Sequence, residues 1–504
     1  MKILQVSATD FGGGAAKVAW DLHHAYVELG HYSKIAVGKK KTSNSNVVQI
    51  PNGRPRNSWE VLTFEVANQL KKQIGRIPGA GRSANFFAAL GRPENSLAYL
   101  LGRELFNYPA SHDLLDLFSN ERIDPSSKAG MPNCEMRNCI TETPDIVHAH
   151  NLHSKYFDLR SLPQLSHQVP TIFTLHDTWL LSGHCAYSVT CDRWQSGCGK
   201  CPDLSLYPAI RRDNTAINWN VKKQIYKQSR LYVVTPCAWL MNKVKQSMLQ
   251  DGIALQRVIH NGVDVSRFCP PVDKNLAKKK IGVSKDEYLI LFVANSVRNN
   301  IWKDFITLKR ALEILSEKCP TIQVRLICFG DENPPEYAGH IPIIFEPHTD
   351  DLNRVIDFYQ AADVYVHATK ADTFPTVILE ALACGLPVIA TAVDGITEQV
   401  KSLVSVSKVE PFSEPPIVTN VKEATGVLVS RGENDAIAHW LSIFIKDCSL
   451  RQQLSENARN DAIKRFDFKR QVEEYLAWYE NCMLDFHCYK KELAIEHKRG
   501  MEYE

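Results

Sequence analysis

Neither sign of charge prevails in this sequence: 59 Lys and Arg stand against 56 Asp and Glu, a formal net charge of +3 over 504 residues. It therefore lacks the global positive field that nucleic acid binding uses. Local basic runs at 39–41 and 278–280 read as solvated faces rather than as sites. No stretch approaches the roughly 18 uninterrupted apolar residues of a membrane-spanning helix. Nor is there a secretory leader, because Met1-Lys2 runs straight into the strand-like Ile3-Leu4-Gln5-Val6. These absences predict a cytoplasmic protein, with the inner face of a membrane as its outermost reach. The 14 cysteines are scattered, which favours reduced thiols, with metal ligation where they cluster, over a disulfide framework.

What is present is a large, ordinary globular composition, 44% hydrophobic and 23% charged, on a chain too long for one core. Residues 2–8 read as a buried strand, followed by Gly12-Gly13-Gly14, a helix through Val18, Leu22 and Ala25, and a second strand at 33–37. That opening is the start of a doubly wound α/β domain. The rhythm breaks over about 53–141, where one amphipathic helix is expected from Trp59 to Ile74, with Trp59, Leu62, Val66 and Leu70 along one side. It returns in strands around 145–150, 171–176 and 231–235, each ending in polar residues.

A second α/β unit starts near 285, with strands at 288–294, 324–329, 343–345, 364–367 and 388–391 and a helix from Phe305 to Glu317. The Ser/Pro/Val-rich stretch 401–420 interrupts it. The expected division is 1–255 and 256–465, then a terminal helix and tail at 466–504. That helix is expected near 466–482, packed back on the first domain, with a frayed end beyond 485.

The stretch 371–391 is the most informative. Pro375 suits a helix start, Gly385 its C-terminal cap, and Pro387 a stop beyond it. Glu380 then lies mid-helix among Val377, Ile378, Leu379, Ala381 and Leu382, where a carboxylate must be paired or must face a polar ligand. Asp372 precedes the helix, whose start at Thr373, Phe374, Pro375 and Thr376 offers free N–H groups, the proline excepted, as a potential anion site. An acid, an anion site and a second acid in sequence suit a nucleoside diphosphate sugar, with hydroxyls at both ends and phosphates between. The plainer alternative is a Glu380 capped by an arginine and an Asp372 serving a turn.

This segment, with the glycine loop at 12–14, Asp145 to Asn151, Ile259 to Phe268, Arg298 with Lys303, and Thr425-Gly426, resembles the family 4 retaining glycosyltransferases of the GT-B fold. The resemblance covers most of the chain and implies two Rossmann-like domains facing across a cleft. Asp372 occupies a place usually held by Glu, with seven residues between it and Glu380. The resemblance implies that Glu380 accepts hydrogen bonds from the donor ribose and Asp372 holds hydroxyls of the transferred sugar. Arg298 and Lys303 would neutralise the leaving diphosphate, although the usual Gly before the Arg is missing. His176 matches the cleft histidine of the family, and Gly13 and Gly14 would let backbone approach the donor. Exposed surface cations and a satisfied strand-end histidine are the plainer readings of Arg298, Lys303 and His176.

A further cluster runs from Gly183-His184-Cys185 to Cys201-Pro202. Four thiols, Cys185, Cys191, Cys198 and Cys201, could close a structural zinc site, or simply pack reduced in a loop. The run is similar to a Cys-rich insert of bacterial exopolysaccharide and colanic-acid-type glycosyltransferases.

The expected reaction moves a sugar from a nucleoside diphosphate sugar to an acceptor hydroxyl with retention, in polysaccharide or glycoconjugate synthesis, without a catalytic metal. A glycan, a lipid-linked glycan or a small molecule would be the acceptor. A peripheral membrane contact through the 59–74 helix, with Lys71, Lys72 and Arg76, is a secondary expectation, and packing on the domain is the commoner fate of such helices. Two other readings share the architecture: a nucleotide-sugar 2-epimerase and a non-catalytic nucleotide-sugar-binding scaffold.

Overall fold

Long β-branched and aromatic runs with no polar interruption form strands covered on both faces, and helices supply the cover. In the computed structural model the described residues are 1–50, 58–73, 80–91, 93–104, 113–116, 140, 142–153, 156–406 and 414–501. Ile74, Arg76, Cys134 and Cys139 lie outside the described residues.

The first sheet contains β1 (Lys2–Thr9), β2 (Tyr32–Lys39), β3 (Val47–Gln49), β4 (Ile146–Ala149), β5 (Thr171–Thr174), β6 (Leu231–Thr235) and β7 (Ile253–Val258). Their order is β3-β2-β1-β4-β5-β6-β7, and the pairs from β3 through β6 are parallel. The second contains β8 (Tyr288–Val293), β9 (Val324–Phe329), β10 (Glu336–Ala338), β11 (Ile341–Glu346), β12 (Val364–His367), β13 (Val388–Thr391) and β14 (Gly426–Val429). Its order is β10-β11-β9-β8-β12-β13-β14, parallel except for the edge pair β10/β11.

Strand order reverses direction at β1/β4 in the first sheet and at β8/β12 in the second. Such a reversal opens a crevice at the strand C-termini, because the helices on its two sides leave in opposite directions. The loop after β1 carries Gly12–Gly14, and the loops after β8 and β12 carry Lys303 and Asp372. The second core is dense: Ile290, Phe292, Leu308, Leu312 and Val366 are all fully buried.

The chain forms two compact units, one of residues 1–234, 244–256 and 479–504, the other of 235–243 and 257–478. The terminal helix is longer than its sequence periodicity indicates, running from Phe468 to Met501 rather than fraying beyond 485. Within the first unit its side chains make specific bonds. The Tyr479 hydroxyl meets His148 Nδ1 at 2.7 Å and the Tyr26 hydroxyl at 3.0 Å, and Asp485 accepts from Arg230 and Tyr232. Tyr489, past the expected fraying point, meets His167 at 2.8 Å.

The irregular segment is also more helical than expected, with helices Ser58–Lys72, Ala80–Gly91, Pro93–Leu101 and Asp113–Asp116. The first packs on the second, and Trp59 Nε1 donates to the Leu90 carbonyl. Among its described side chains Thr63 and Ala67 are buried, whereas Trp59 and Leu62 are 55% and 53% exposed. The expected apolar side is thus turned partly outward.

Candidate functional site

In the second unit, Pro375 stands at the N-cap of helix Thr376–Ala383, with φ −64° and ψ 124°, and caps it with no side chain. Gly385 follows the C-terminus at φ +70°, a conformation an L side chain resists. Glu380 is 7% exposed, and its Oε2 accepts from the Tyr359 hydroxyl at 2.9 Å. Burial, and next the Glu380 carboxylate, push the Tyr359 phenol well above its usual range, so it remains a donor.

The loop before this helix is held from several sides. Asp372 N donates to Asp394 Oδ2, and Cys237 Sγ donates to the Thr373 carbonyl. A Cβ on Gly395 would stand 2.1 Å from that same carbonyl oxygen, so the close approach requires glycine. The Thr373 side chain is 3% exposed, and its hydroxyl has no hydrogen-bond partner among the described residues. An orphaned buried hydroxyl beside an uncapped helix start is a costly feature that a bound polar group would relieve.

Lys303 reaches this loop because residues 302–304 pair with 368–370. Asp304 N donates to the Ala368 carbonyl, and Lys370 N donates to that of Trp302. The Lys303 ammonium stands 2.6 Å from Asp372 Oδ2. Beneath them lies His367, fully buried at the end of β12, its Nε2 3.3 Å from Lys303 Nζ and 3.4 Å from Asp372 Oδ2. Its Nδ1 is 3.0 Å from the Tyr365 hydroxyl. Burial works to raise the Asp372 pKa, but the Lys303 cation and the His367 hydrogen bond outweigh it and hold the carboxyl well below its usual value. The imidazole of His367 is pushed down to about 4 by burial and then by Lys303.

Arg298 does not join this group through its recorded contacts. Its guanidinium pairs with Glu336 at 3.0 Å and lies over the Phe345 ring. Glu336 also pairs with Lys309, so it is shared between two cations.

In the first unit Gly13 (φ +89°) precedes helix Gly14–Glu28, and a Cβ on Gly13 or Gly14 would meet nothing within 4 Å. The loop backbone is therefore open to approach. His176, just past β5, has Nε2 3.0 Å from His150 Nδ1, and His150 Nε2 stands 3.0 Å from Gln5 Oε1. Burial lowers His176 to about 4, so the ring is neutral at physiological pH.

The expected four-thiolate metal set is not formed. Among the described residues no group of three or more His, Cys, Asp or Glu side chains is placed to hold a metal ion. Cys185, Cys191, Cys198 and Cys201 do line one cavity of about 20 Å³ together with His184. Two of the sulfurs have hydrogen-bond partners in the loop: Gly183 N donates to Cys198 Sγ, Cys201 Sγ donates to the Asp203 carbonyl, and His184 Nε2 lies 3.4 Å from Cys201 Sγ. Burial raises the Cys185 and Cys198 thiols to about 11 and about 12, so both are neutral at physiological pH in the metal-free chain.

Sequence reasoning did not single out Tyr359, Tyr365, His367 or Gln5. A polar residue ending a buried strand was the available signal for His367, the same signal that drew attention to His176.

The model for "Glycosyl transferases group 1" matches residues 273–461, and that for "Glycosyltransferase Family 4" matches 129–267. A protein of Escherichia coli strain K12 described as a colanic acid biosynthesis glycosyl transferase, WcaC, is 26% identical over 415 residues, spanning 79% of this chain and 85% of its own. Among solved structures, sucrose-phosphate synthase from Thermosynechococcus elongatus superposes with a TM-score of 0.54 at 15% identity, covering 95% of this chain and 99% of its own. HepE of Anabaena, solved in complex with UDP, gives 0.53 at 16% identity, covering 95% and 100%. With one family model matching most of the second unit, the other matching part of the first, and this pair of doubly wound sheets, the chain belongs to the family 4 type of glycosyltransferases with the GT-B fold.

Proposed function

We propose that this glycosyltransferase takes a nucleoside diphosphate sugar as donor and transfers the sugar to an acceptor hydroxyl with retention at the anomeric carbon. The observation that carries the reading is the set Lys303, Asp372, Thr373 and Glu380, gathered at the strand-order reversal of the second sheet. Glu380 receives the donor ribose. The uncapped helix start, with Thr373, Phe374, Pro375 and Thr376, faces the diphosphate, and Lys303 stabilises the charge that grows as the glycosidic bond breaks. Asp372 holds hydroxyls of the transferred sugar. The acceptor attacks from the face the diphosphate leaves, and a diphosphate oxygen takes the acceptor proton. Arg298 would have to leave Glu336 to assist. HepE, described with UDP and with UDP-glucose, supports a nucleotide-sugar donor. On the first unit, Gly13, Gly14 and neutral His176 are assigned to the donor and the reacting sugar.

Thermal shift with a panel of nucleotides and nucleotide sugars tests the donor, since a ligand at about 100 times its Kd adds about 2.7 kcal/mol of stability. NMR of the product anomer then tests retention. Epimerised sugar and free nucleotide from donor alone would instead identify a 2-epimerase.

The acceptor is a glycan or lipid-linked glycan of polysaccharide synthesis, a reading supported by the similarity to WcaC. No helix among the described residues is long and apolar enough to cross a membrane. A peripheral contact is supported by the exposed Trp59, Leu62, Phe86 and Leu97, with Lys71 and Lys72 on the first of these helices. Co-sedimentation with anionic vesicles, compared with Trp59→Ser/Leu62→Ser, tests it.

A further inference from the structure

We infer that His367 is a positioning residue, which braces Asp372 from below so that this short carboxylate presents its second oxygen to a hydroxyl of the transferred sugar. The inference rests on the donor reading above and assigns work to a residue that reading does not use. Every side-chain contact recorded for Asp372 among the described residues falls on one oxygen. Oδ2 takes Lys303 at 2.6 Å and lies 3.4 Å from His367 Nε2, while the backbone N–H is tied to Asp394. Oδ1 is left to a ligand.

The partners around the ring select its tautomer. A carboxylate only accepts and an ammonium only donates. With Nε2–H directed at Oδ2, Nδ1 accepts from the Tyr365 hydroxyl, and Lys303 spends its hydrogen on the carboxylate. The ring N–H then also stands 3.3 Å from the Lys303 ammonium, a contact that the shared carboxylate oxygen, 2.6 Å from Nζ and 3.4 Å from Nε2, offsets. With the hydrogen on Nδ1, the Nε2 lone pair would accept from Lys303 at 3.3 Å but would face the carboxylate oxygen across 3.4 Å. Burial, first among its causes, holds the Tyr365 phenol well above its usual range, so its proton stays available to the ring. Tyr365 and His367 are both fully buried and lie on one strand, two residues apart, so the brace is as rigid as β12 itself. A glutamate would reach further, whereas an aspartate this short must be aimed. The chain Tyr365–His367–Asp372 supplies that aim.

The experiment is calorimetry of two pairs, UDP with UDP-glucose and GDP with GDP-mannose, on the wild type, H367L, H367Q, Y365F and D372N. The difference between nucleotide sugar and bare nucleotide isolates the sugar contact. For the pair that binds, H367L should lose about tenfold in nucleotide-sugar affinity while bare nucleotide changes by less than about threefold. H367Q, whose amide can again donate to Oδ2, should stay within about threefold of wild type on both, and Y365F should fall between. Y365F keeps the ring and carries the test if H367L does not fold. If D372N loses the sugar increment while H367L or Y365F keeps it, the brace is refuted and the donor reading stands. If D372N itself leaves the increment unchanged, or neither pair binds the wild type, the donor reading fails and takes the brace with it.

Discussion

Lys303 and Asp372 lie 2.6 Å apart although 68 residues separate them in the chain, because the strap 302–304 is hydrogen-bonded to the strand-end segment 368–370. Cation and carboxylate neutralise one another in a place mostly removed from water, their side chains only 11% and 20% exposed. A diphosphate oxygen that engages Lys303 must share it with a carboxylate already in contact. Under the proposed donor reading, the pair couples the charge of the leaving group to the residue assigned to the sugar.

Lys303→Met should abolish transfer and cost about 1–3 kcal/mol of stability, because it leaves a mostly buried carboxylate without its cation. Denaturant unfolding checks the cost. Lys303→Met/Asp372→Leu should recover much of that stability and none of the activity. Were the double variant no more stable than the single, the ion pair would not be the source of the loss.

Glu380→Ala should weaken nucleoside diphosphate binding by about 10- to 100-fold, the loss of a charged acceptor for ribose hydroxyls, at about 1.5–3 kcal/mol. Tyr359→Phe removes the donor that orients Glu380 and should cost less. Calorimetry with UDP and GDP reads both. Unchanged affinity and unchanged turnover in Glu380→Ala would remove Glu380 from the donor site.

If His176 serves the reacting sugar as proposed, His176→Ala should slow transfer at least tenfold while leaving nucleotide affinity nearly unchanged. Steady-state kinetics separate the two. A neutral His176, lowered to about 4 by burial, should give no inflection between pH 5 and 8 that disappears in His176→Gln.

The buried histidines should also set the acid limit of the fold. Burial lowers His148 to about 3 and His23 and His176 to about 4, against an ordinary histidine value of 6.5. The unfolded chain thus binds more protons than the folded one between these values, so stability falls as pH drops from 6.5 toward 4. Melting temperature should decline through that window. His148→Asn should flatten the decline if the cluster causes it.

Thiol reactivity should follow exposure and pKa. At pH 8 iodoacetamide should modify exposed Cys448 and Cys488 well before Cys185 and Cys198, whose thiols burial raises to about 11 and about 12. Peptide mapping by mass spectrometry reads the order. Fast labelling of Cys185 would mean that the loop 183–202 opens in solution.

The alternation of buried runs with helices, the helix start at Pro375 and its end at Gly385 were all readable without coordinates. Each depends on periodicity or on backbone preferences expressed within a few residues. The same locality explains the misjudged helix at Ser58–Lys72, where Thr63 and Ala67 rather than Trp59 and Leu62 are buried. Which side of a helix is covered depends on the neighbour, and the neighbour is not local. The tail beyond 485 was misread for a related reason, since its charged side chains give weak periodicity while Tyr489 docks on His167.

The sequence by itself determined that this chain would build two doubly wound α/β units and would hold acids at 372 and 380 on either side of a helix start, because strand runs, proline and glycine act on the backbone nearby. Only the tertiary structure decided which side chains meet: His367 under Asp372, Tyr359 on Glu380, Arg298 drawn to Glu336, and Cys185, Cys191, Cys198 and Cys201 around one small cavity. Those partners come from strands and loops distant in sequence, and strand order and register bring them within hydrogen-bonding reach.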